Sequence, residues 1–197
     1  MMPKENDPNA VREAVLCLKR GGVVIYPTET AYGMGVDATN ARARRKIYRI
    51  KRRFAWKKLS LIVASNAMAS RYIRLDSAAK KLMRSFMPGP LTIICDAKRS
   101  GNIGKDVAFR IPRQKFALRM VRAFGKPVTA TSANLSGKSP VYEMNKIKRI
   151  FLNKADLIVD GGNLPRRAVS TIYDVRRGRI LRKGPISRKD IARALER

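Results

Sequence analysis

The stretch VVIYPTETAYGMGVDATN, residues 23–40, decides the fold of this chain, because a buried strand ends in it and a polar elbow begins. Two valines and an isoleucine stand between a pair of glycines and Pro27, which is the pattern of a short buried strand. Pro27 has no amide hydrogen, so the ladder ends there. Hydroxyl side chains and glycines follow at once, and such groups beyond the carboxyl end of a strand often bind ligands in open α/β sheets. On local pattern alone, an ordinary strand and turn explains residues 23–40 equally well.

Outward from this stretch, helical and strand patterns mix without a strict strand–helix–strand repeat. Helical spacing predicts a first helix that starts at Asp7 and Pro8, and a second helix that starts at Ala41. A loop is predicted over residues 98–105. Strands are predicted over residues 59–64, 91–95, 107–111, 128–131 and 157–159, with a hairpin of residues 170–175 and 180–181. We therefore predict an α/β fold, a single domain of residues 1–197 with a twisted mixed parallel and antiparallel sheet and flanking helices.

The charge of the chain is its most unusual bulk property. There are 44 lysines and arginines against 14 acidic residues, which gives a formal net charge of +30. A field of this sign attracts polyanions such as nucleotides, nucleic acids or anionic membrane surfaces. A solvated basic surface is the plainer explanation of part of the excess.

The residue inventory narrows the possible chemistry. The chain has no histidine, which excludes a histidine-based triad, a Cys–His pair and the usual zinc clusters. Cys17 and Cys95 carry no disulfide pattern and are typical of small buried residues in a reducing compartment. There is no signal-peptide pattern and no apolar run of membrane-spanning length. We therefore expect a cytoplasmic protein without a resident metal or a membrane partner.

Three separate segments carry small or hydroxylated side chains next to a predicted strand, at Thr28 and Thr30, at Ser132 and Asn134, and at Ser170 and Thr171. The cations that flank these segments along the chain are Lys51, Arg53, Arg110 and Arg182. Hydroxyls, backbone amides and guanidinium groups bind anions, and phosphoryl or nucleotidyl transfer depends mainly on positioning and charge neutralisation. The pattern therefore indicates a site for a phosphate-bearing substrate. Each residue also has a structural explanation, such as a turn threonine or a helix cap.

Six motifs occur in an order that resembles the YrdC family. They are YPTETAYG at residues 26–33, Lys51-x-Arg53, PGPLT at residues 88–92, VAFRIP at residues 107–112, Ser132-x-Asn134 and STI at residues 170–172. The resemblance extends from about residue 11 to residue 186. The chain departs from the usual family pattern at several positions, namely Phe54, Lys57–Lys58–Leu59, Ile62, Asp106 and Lys183.

The resemblance implies a short, single-domain threonylcarbamoyl-AMP synthase whose mixed sheet encloses a large positively charged cavity. Such an enzyme converts L-threonine, bicarbonate and ATP, which brings Mg²⁺ with it, into threonylcarbamoyl-AMP and pyrophosphate. A partner transferase then forms N6-threonylcarbamoyladenosine in ANN-decoding tRNAs. The resemblance assigns Lys51 and Arg53 to catalysis. It assigns threonine binding to Thr30, Arg110 and Ser170, and ATP binding to Lys51, Arg53, Lys57, Ser132, Asn134 and Arg182.

A non-catalytic RNA-binding module of the same fold is the alternative function. Its support is the basic segment of residues 42–58, which has only three aromatic residues among its cations, Tyr48, Phe54 and Trp56. No standard RNA-binding motif occurs in the chain. Non-specific binding of tRNA or double-stranded RNA is expected from the charge under either function.

Overall fold

The computed structural model describes residues 2–98 and 103–196 of the chain. Its helices are α1 (Ala10–Lys19), α2 (Ala41–Lys51), α3 (Asn66–Tyr72), α4 (Ser77–Phe86), α5 (Lys115–Phe124), α6 (Met144–Phe151) and α7 (Arg188–Glu196). Its strands are β1 (Val24–Tyr26), β2 (Gly33–Gly35), β3 (Leu61–Ile62), β4 (Leu91–Asp96), β5 (Asp106–Arg110), β6 (Val128–Thr129), β7 (Thr131–Ser132), β8 (Leu157–Ile158), β9 (Thr171–Asp174) and β10 (Arg179–Arg182).

The predicted α/β class with mixed strand directions is confirmed, but the strands divide between two sheets. The smaller sheet has the order β7-β2-β1-β8, in which β1 runs antiparallel to β2 and parallel to β8. The larger sheet has the order β10-β9-β4-β5-β3-β6 and also contains both strand directions. Flanking helices cover these sheets with apolar faces, such as the buried face of α5.

The two sheets meet where the chain passes directly from β6 to β7. Thr129 belongs to the larger sheet, yet its backbone and its hydroxyl both bond to the backbone of Val36, beside the smaller sheet. Gly35 permits this approach, because a Cβ there would lie 2.7 Å from the carbonyl oxygen of Thr129. Two residues later the chain is in β7, paired with β2. The predicted single strand over residues 128–131 is therefore two short strands of different sheets.

Several elements differ locally from the sequence predictions. Helix α1 begins at Ala10 rather than at Pro8, and the Asp7 carboxylate accepts from the amide of Asn9 in the turn that precedes the helix. Strand β3 is only two residues long, although a longer strand was predicted. Helix α3, which the sequence did not predict, is capped by Ser65, whose hydroxyl accepts from the amide of Met68 at 3.1 Å. Part of the predicted loop of residues 98–105 lies outside the described residues.

Candidate active site

A cavity of about 390 Å³ lies between the two sheets and is lined by the ends of several strands. The elbow after β1 forms one wall, and the β6–β7 corner forms another. Strands β4, β5 and β10 contribute the opposite side. Four charged side chains line the cavity in the part of the chain that the structure describes, and all four are cations: Arg53, Lys58, Arg110 and Arg182. A cavity of this size and composition suits a small anionic substrate.

The guanidinium of Arg110 is paired inside this cavity wall with the carboxylate of Glu29. Both side chains are nearly buried, with exposed fractions of 9% and 10%. The same carboxylate also accepts from the backbone amide of Gln114 at 3.3 Å. A carboxylate that already has two donors holds the arginine in one orientation at the cavity surface. The Arg110 guanidinium is therefore a fixed cation at the surface of the cavity.

Ser170 joins two sides of the cavity through its hydroxyl. The hydroxyl oxygen lies 2.9 Å from that of Thr92, and a guanidinium nitrogen of Arg182 donates to it at 2.9 Å. The Arg182 Nε also donates to the carbonyl oxygen of Ser170 at 3.0 Å. Partial desolvation, and secondly the charge of Arg110, lowers the pKa of the Arg182 guanidinium. Two guanidinium groups that repel each other across a cavity favour an anion between them.

The threonines of the elbow have different contacts. Thr28 is a turn threonine, as the structural explanation expected, since its hydroxyl bonds to the carbonyl oxygen of Ala31 at 2.6 Å and accepts from the amides of Thr30 and Ala31 at 3.2 Å. The Thr30 hydroxyl lies 3.1 Å from that of Thr28. Both threonines line the cavity. Thr28 therefore fixes the turn that presents Thr30.

Lys51 is the last residue of α2 and is buried behind the cavity, with an exposed fraction of 1%. Its ammonium donates to the carbonyl oxygens of Ser132 and Asn134, the latter at 2.6 Å, and lies 3.4 Å from the side-chain oxygen of Asn134. Burial, and secondly the charge of Arg53, lowers the pKa of Lys51 to about 8. The ammonium therefore holds the segment 132–134 in place without lining the cavity itself.

Arg53 lines the cavity, whereas Lys57 lies outside it. The guanidinium of Arg53 donates to the carbonyl oxygens of Lys57 and Lys58, at 3.1 and 3.0 Å. These bonds close the loop that follows α2. The ammonium of Lys57 instead lies 5.9 and 5.2 Å from the ring centres of Phe54 and Trp56. The ammonium of Lys57 thus lies outside the cavity that Arg53, Ser132 and Arg182 line.

The architecture and the order of the motifs agree with comparisons to known proteins. A family model described as Telomere recombination, which covers the Sua5, YciO and YrdC proteins, matches residues 17–184. The chain belongs to the Sua5/YciO/YrdC family. The family resemblance of the six motifs is thereby confirmed.

Two relatives in this family carry the same functional name. The chain is 35% identical over 178 residues to a putative threonylcarbamoyl-AMP synthase of Methanocaldococcus jannaschii, with 88% of this chain and 84% of that protein covered. It is 37% identical over 178 residues to a threonylcarbamoyl-AMP synthase of Thiobacillus denitrificans, with 84% of this chain and 90% of that protein covered.

A solved family member extends the comparison to three dimensions. The structure of Pyrococcus abyssi Sua5 complexed with L-threonine matches with a TM-score of 0.86 and 29% sequence identity. The match covers 94% of this chain. The chain spans 57% of the length of that Sua5 protein.

Lys58 and Thr92 also line the catalytic cavity of the present chain, and the sequence analysis did not identify either as a site residue. Lys58 pairs with Asp106, one of the positions at which the chain departs from the family pattern, and Asp106 also accepts from Arg176 at 2.8 Å. These contacts hold the pKa of Asp106 below its ordinary value, despite some desolvation. Thr92, the last residue of the PGPLT motif, bonds to Ser170. The position of Thr92 in the PGPLT motif was the sequence signal that could have identified it as a site residue.

Residues 2–98 and 103–196 contain neither a cluster of metal ligands nor a membrane-spanning helix. No group of three or more Cys, Asp and Glu side chains there could hold a metal ion. No helix in those ranges is long and apolar enough to cross a membrane. Cys17 and Cys95 are both buried and free, as predicted.

Proposed function

We propose that this protein is a threonylcarbamoyl-AMP synthase, which converts L-threonine, bicarbonate and ATP into threonylcarbamoyl-AMP and pyrophosphate. The observation that carries the proposal is that one cavity contains six of the nine predicted site residues. They are Thr30, Arg53, Arg110, Ser132, Ser170 and Arg182. The names of the two curated relatives and the L-threonine complex of Pyrococcus abyssi Sua5 support it.

The threonine side of the cavity is the region of Arg110, Ser170 and Thr30. The fixed Arg110 guanidinium binds the amino-acid carboxylate, which shares the cation with Glu29. Hydroxyl groups of Thr30 and Ser170 hydrogen-bond to the remaining polar groups of the substrate. Bidentate guanidinium–carboxylate pairing explains why an arginine is suited to this place.

The nucleotide side is the region of Arg53, Ser132 and Arg182. Once bicarbonate and the threonine amine have formed a carbamate and water, a carbamate oxygen attacks the α-phosphorus of ATP and pyrophosphate leaves. Both reactants are anions, so their mutual repulsion opposes the approach. Cations fixed in the cavity wall reduce this repulsion and stabilise the charge that develops in the transition state. The carbamate needs no strong base, which is consistent with a chain that lacks histidine.

The remaining participants of the reaction are brought by the substrates or by a partner. Mg²⁺ enters with the phosphates of ATP, and a downstream tRNA threonylcarbamoyl transferase takes over the adenylate. We expect the reaction in the cytoplasm. Lys51 acts by positioning segment 132–134, and Lys57 reaches ATP only if the loop after α2 rearranges.

Replacing Arg53 with alanine tests the nucleotide side. We expect Arg53→Ala to reduce turnover on the order of 10²-fold or more, because it removes one preorganised charge contact with the reacting phosphates. Arg45→Ala is the matched control, since Arg45 is an exposed cation of α2 that does not line the cavity. Turnover is measured as pyrophosphate release. Equal small losses in both variants would mean that Arg53 is only part of a charged surface.

RNA binding is a second candidate function, favoured by an exposed pair of aromatic rings. Phe54 and Trp56 have exposed fractions of 66% and 73%. Their rings are stacked, with centres 6.0 Å apart and planes 14° apart. Arginines and lysines surround them in the loop of residues 52–58. Exposed aromatic rings among cations are the usual contacts of unpaired bases.

A further inference from the structure

A second cavity is lined in part by α2 and shares no lining residue with the catalytic cavity. Its volume is about 580 Å³, and it is open to solvent along one side. Four cations and one carboxylate line it, namely Lys46, Arg49, Arg52, Lys154 and Asp156. Its apolar lining is formed by Val23, Ile50 and Leu135. We call it the outer cavity.

Most of the positive charge of the outer cavity is unpaired. Lys46 donates to the carbonyl oxygen of Gly21 at 2.8 Å and lies 4.0 Å from the carboxylate of Asp156. That carboxylate is itself occupied by the amide of Val23 at 2.7 Å. The side chains of Arg49, Arg52 and Lys154 form no hydrogen bond or ion pair with any residue in the described ranges. Three unpaired cations in one cavity attract an anion with several negative oxygens.

The outer cavity and the catalytic cavity share two chain segments. Arg52 lines the outer cavity and the next residue, Arg53, lines the catalytic one. Arg52 has a φ of +48°, in the left-handed region, and this conformation reverses the chain at the end of α2. In the second segment, Leu135 lines the outer cavity and Ser132 the catalytic one. The buried Lys51 joins both segments through its bonds to Ser132 and Asn134.

We propose that the outer cavity binds a phosphate-bearing ligand through Arg49, Arg52 and Lys154. Guanidinium groups pair with phosphate oxygens in a bidentate manner, and the lysine adds a point charge. The apolar lining admits a carbon-rich part of the same ligand. A bound ligand contacts the two segments that also carry Arg53 and Ser132. Its binding therefore affects the positions of these two residues in the catalytic cavity. The phosphate can come from a small free molecule or from an RNA backbone.

A lysine-acylation footprint tests the site in the full chain without ATP. Inorganic pyrophosphate and a single-stranded decauridylate are the two probes, and mass spectrometry measures the acylation rate of each lysine. We expect a probe to protect Lys154 and to leave Lys189, an exposed lysine of α7, unprotected. The double variant Arg49→Gln/Arg52→Gln should weaken this protection about 10-fold or more, because two charge-assisted contacts are lost. Arg45→Gln, which removes a charge outside the cavity, should not weaken it.

Each outcome of the footprint has a defined meaning. Protection by pyrophosphate that is lost in the double variant supports the site and identifies a small phosphate ligand. Protection by the oligonucleotide alone that is lost in the double variant supports the site and identifies an RNA backbone. No protection of Lys154, or equal protection in both variants, overturns the proposal. The double variant should keep its threonine-dependent pyrophosphate release, because neither arginine lines the catalytic cavity, so failure here is distinct from failure of the proposed synthase activity.

Discussion

At the scale of single residues, Lys51 shows how a residue singled out in the sequence can have an unexpected position. The family resemblance of the Lys51-x-Arg53 motif implied that Lys51 contacts the phosphates of ATP, whereas the basic helix alone indicated only a solvated surface. In the structure, backbone and amide oxygens of residues 132–134 surround the ammonium, and no carboxylate pairs with it in the part of the chain that the structure describes. Such an arrangement depends on the tertiary approach of two distant segments, which local sequence does not reveal. A buried cation is tolerated only with such partners.

The lowered pKa of Lys51 predicts a pH dependence of activity. Above about pH 8 the ammonium loses a proton and with it one of three N–H donors, so the three oxygens are no longer all bound. We expect kcat/KM to fall above about pH 8. The folded-state pKa lies below the ordinary value of 10.5, so this group's contribution to folding stability rises with pH between those two values. Activity and stability should therefore change in opposite directions, as measured by initial rates and thermal unfolding.

Three variants separate this effect of Lys51 on the pH profile from the effects of other titrating groups. Lys51→Arg keeps its charge throughout this pH range and should lose the inflection near pH 8. Arg45→Ala should keep the wild-type profile. If Lys51→Gln shows the same inflection as the wild-type protein, another group is responsible and the positioning role is wrong.

At the scale of elements, the sequence predicted what depends on local pattern. Strand β1 was predictable from its apolar residues between glycines and proline, and α2 from its start at Ala41. Strand β2 was not, because its sequence Gly-Met-Gly has low strand propensity and forms a strand only by pairing with β1 and β7. The division into two sheets depends on the turn between Thr129 and Thr131, a tertiary feature that an ordinary β-branched run does not reveal.

The candidate site was predictable to a similar extent. Strand ends with hydroxyl groups could be placed in the sequence, because ligand sites follow strands in such folds. The pairing of Glu29 with Arg110 and of Lys58 with Asp106 could not, since each joins residues far apart in the chain. The position of Lys57 over Phe54 and Trp56 also depends on the loop after α2.

The loop of residues 52–58 gives a prediction about RNA. We expect the double variant Phe54→Ala/Trp56→Ala to bind a single-stranded RNA about 10-fold more weakly at ~200 mM salt, because base stacking on the two rings is lost. At ~50 mM salt the difference should be smaller, since phosphate contacts then dominate the affinity. Leu152→Ala, which removes another exposed apolar side chain from the surface, should have no effect. Equal affinities of all three proteins at both salt concentrations would exclude these rings from RNA binding.

At the scale of the whole molecule, the net charge of +30 acts in two different ways. Spread over the surface, it attracts any polyanion, and that attraction is screened by salt. Inside the catalytic cavity, a few fixed cations act at short range on one bound substrate, where screening is weak. Charge alone therefore does not distinguish an enzyme that uses ATP from an RNA-binding protein of the same fold, whereas a requirement for specific co-substrates does.

The central claim is that one cavity combines threonine, bicarbonate and ATP, and pyrophosphate release from the purified protein tests it most directly. We predict that release requires threonine and bicarbonate together, because the carbamate that attacks ATP forms only from both. Omitting either one should reduce release to the background of ATP alone. Pyrophosphate release that is the same with and without threonine would contradict the assignment of a threonylcarbamoyl-AMP synthase.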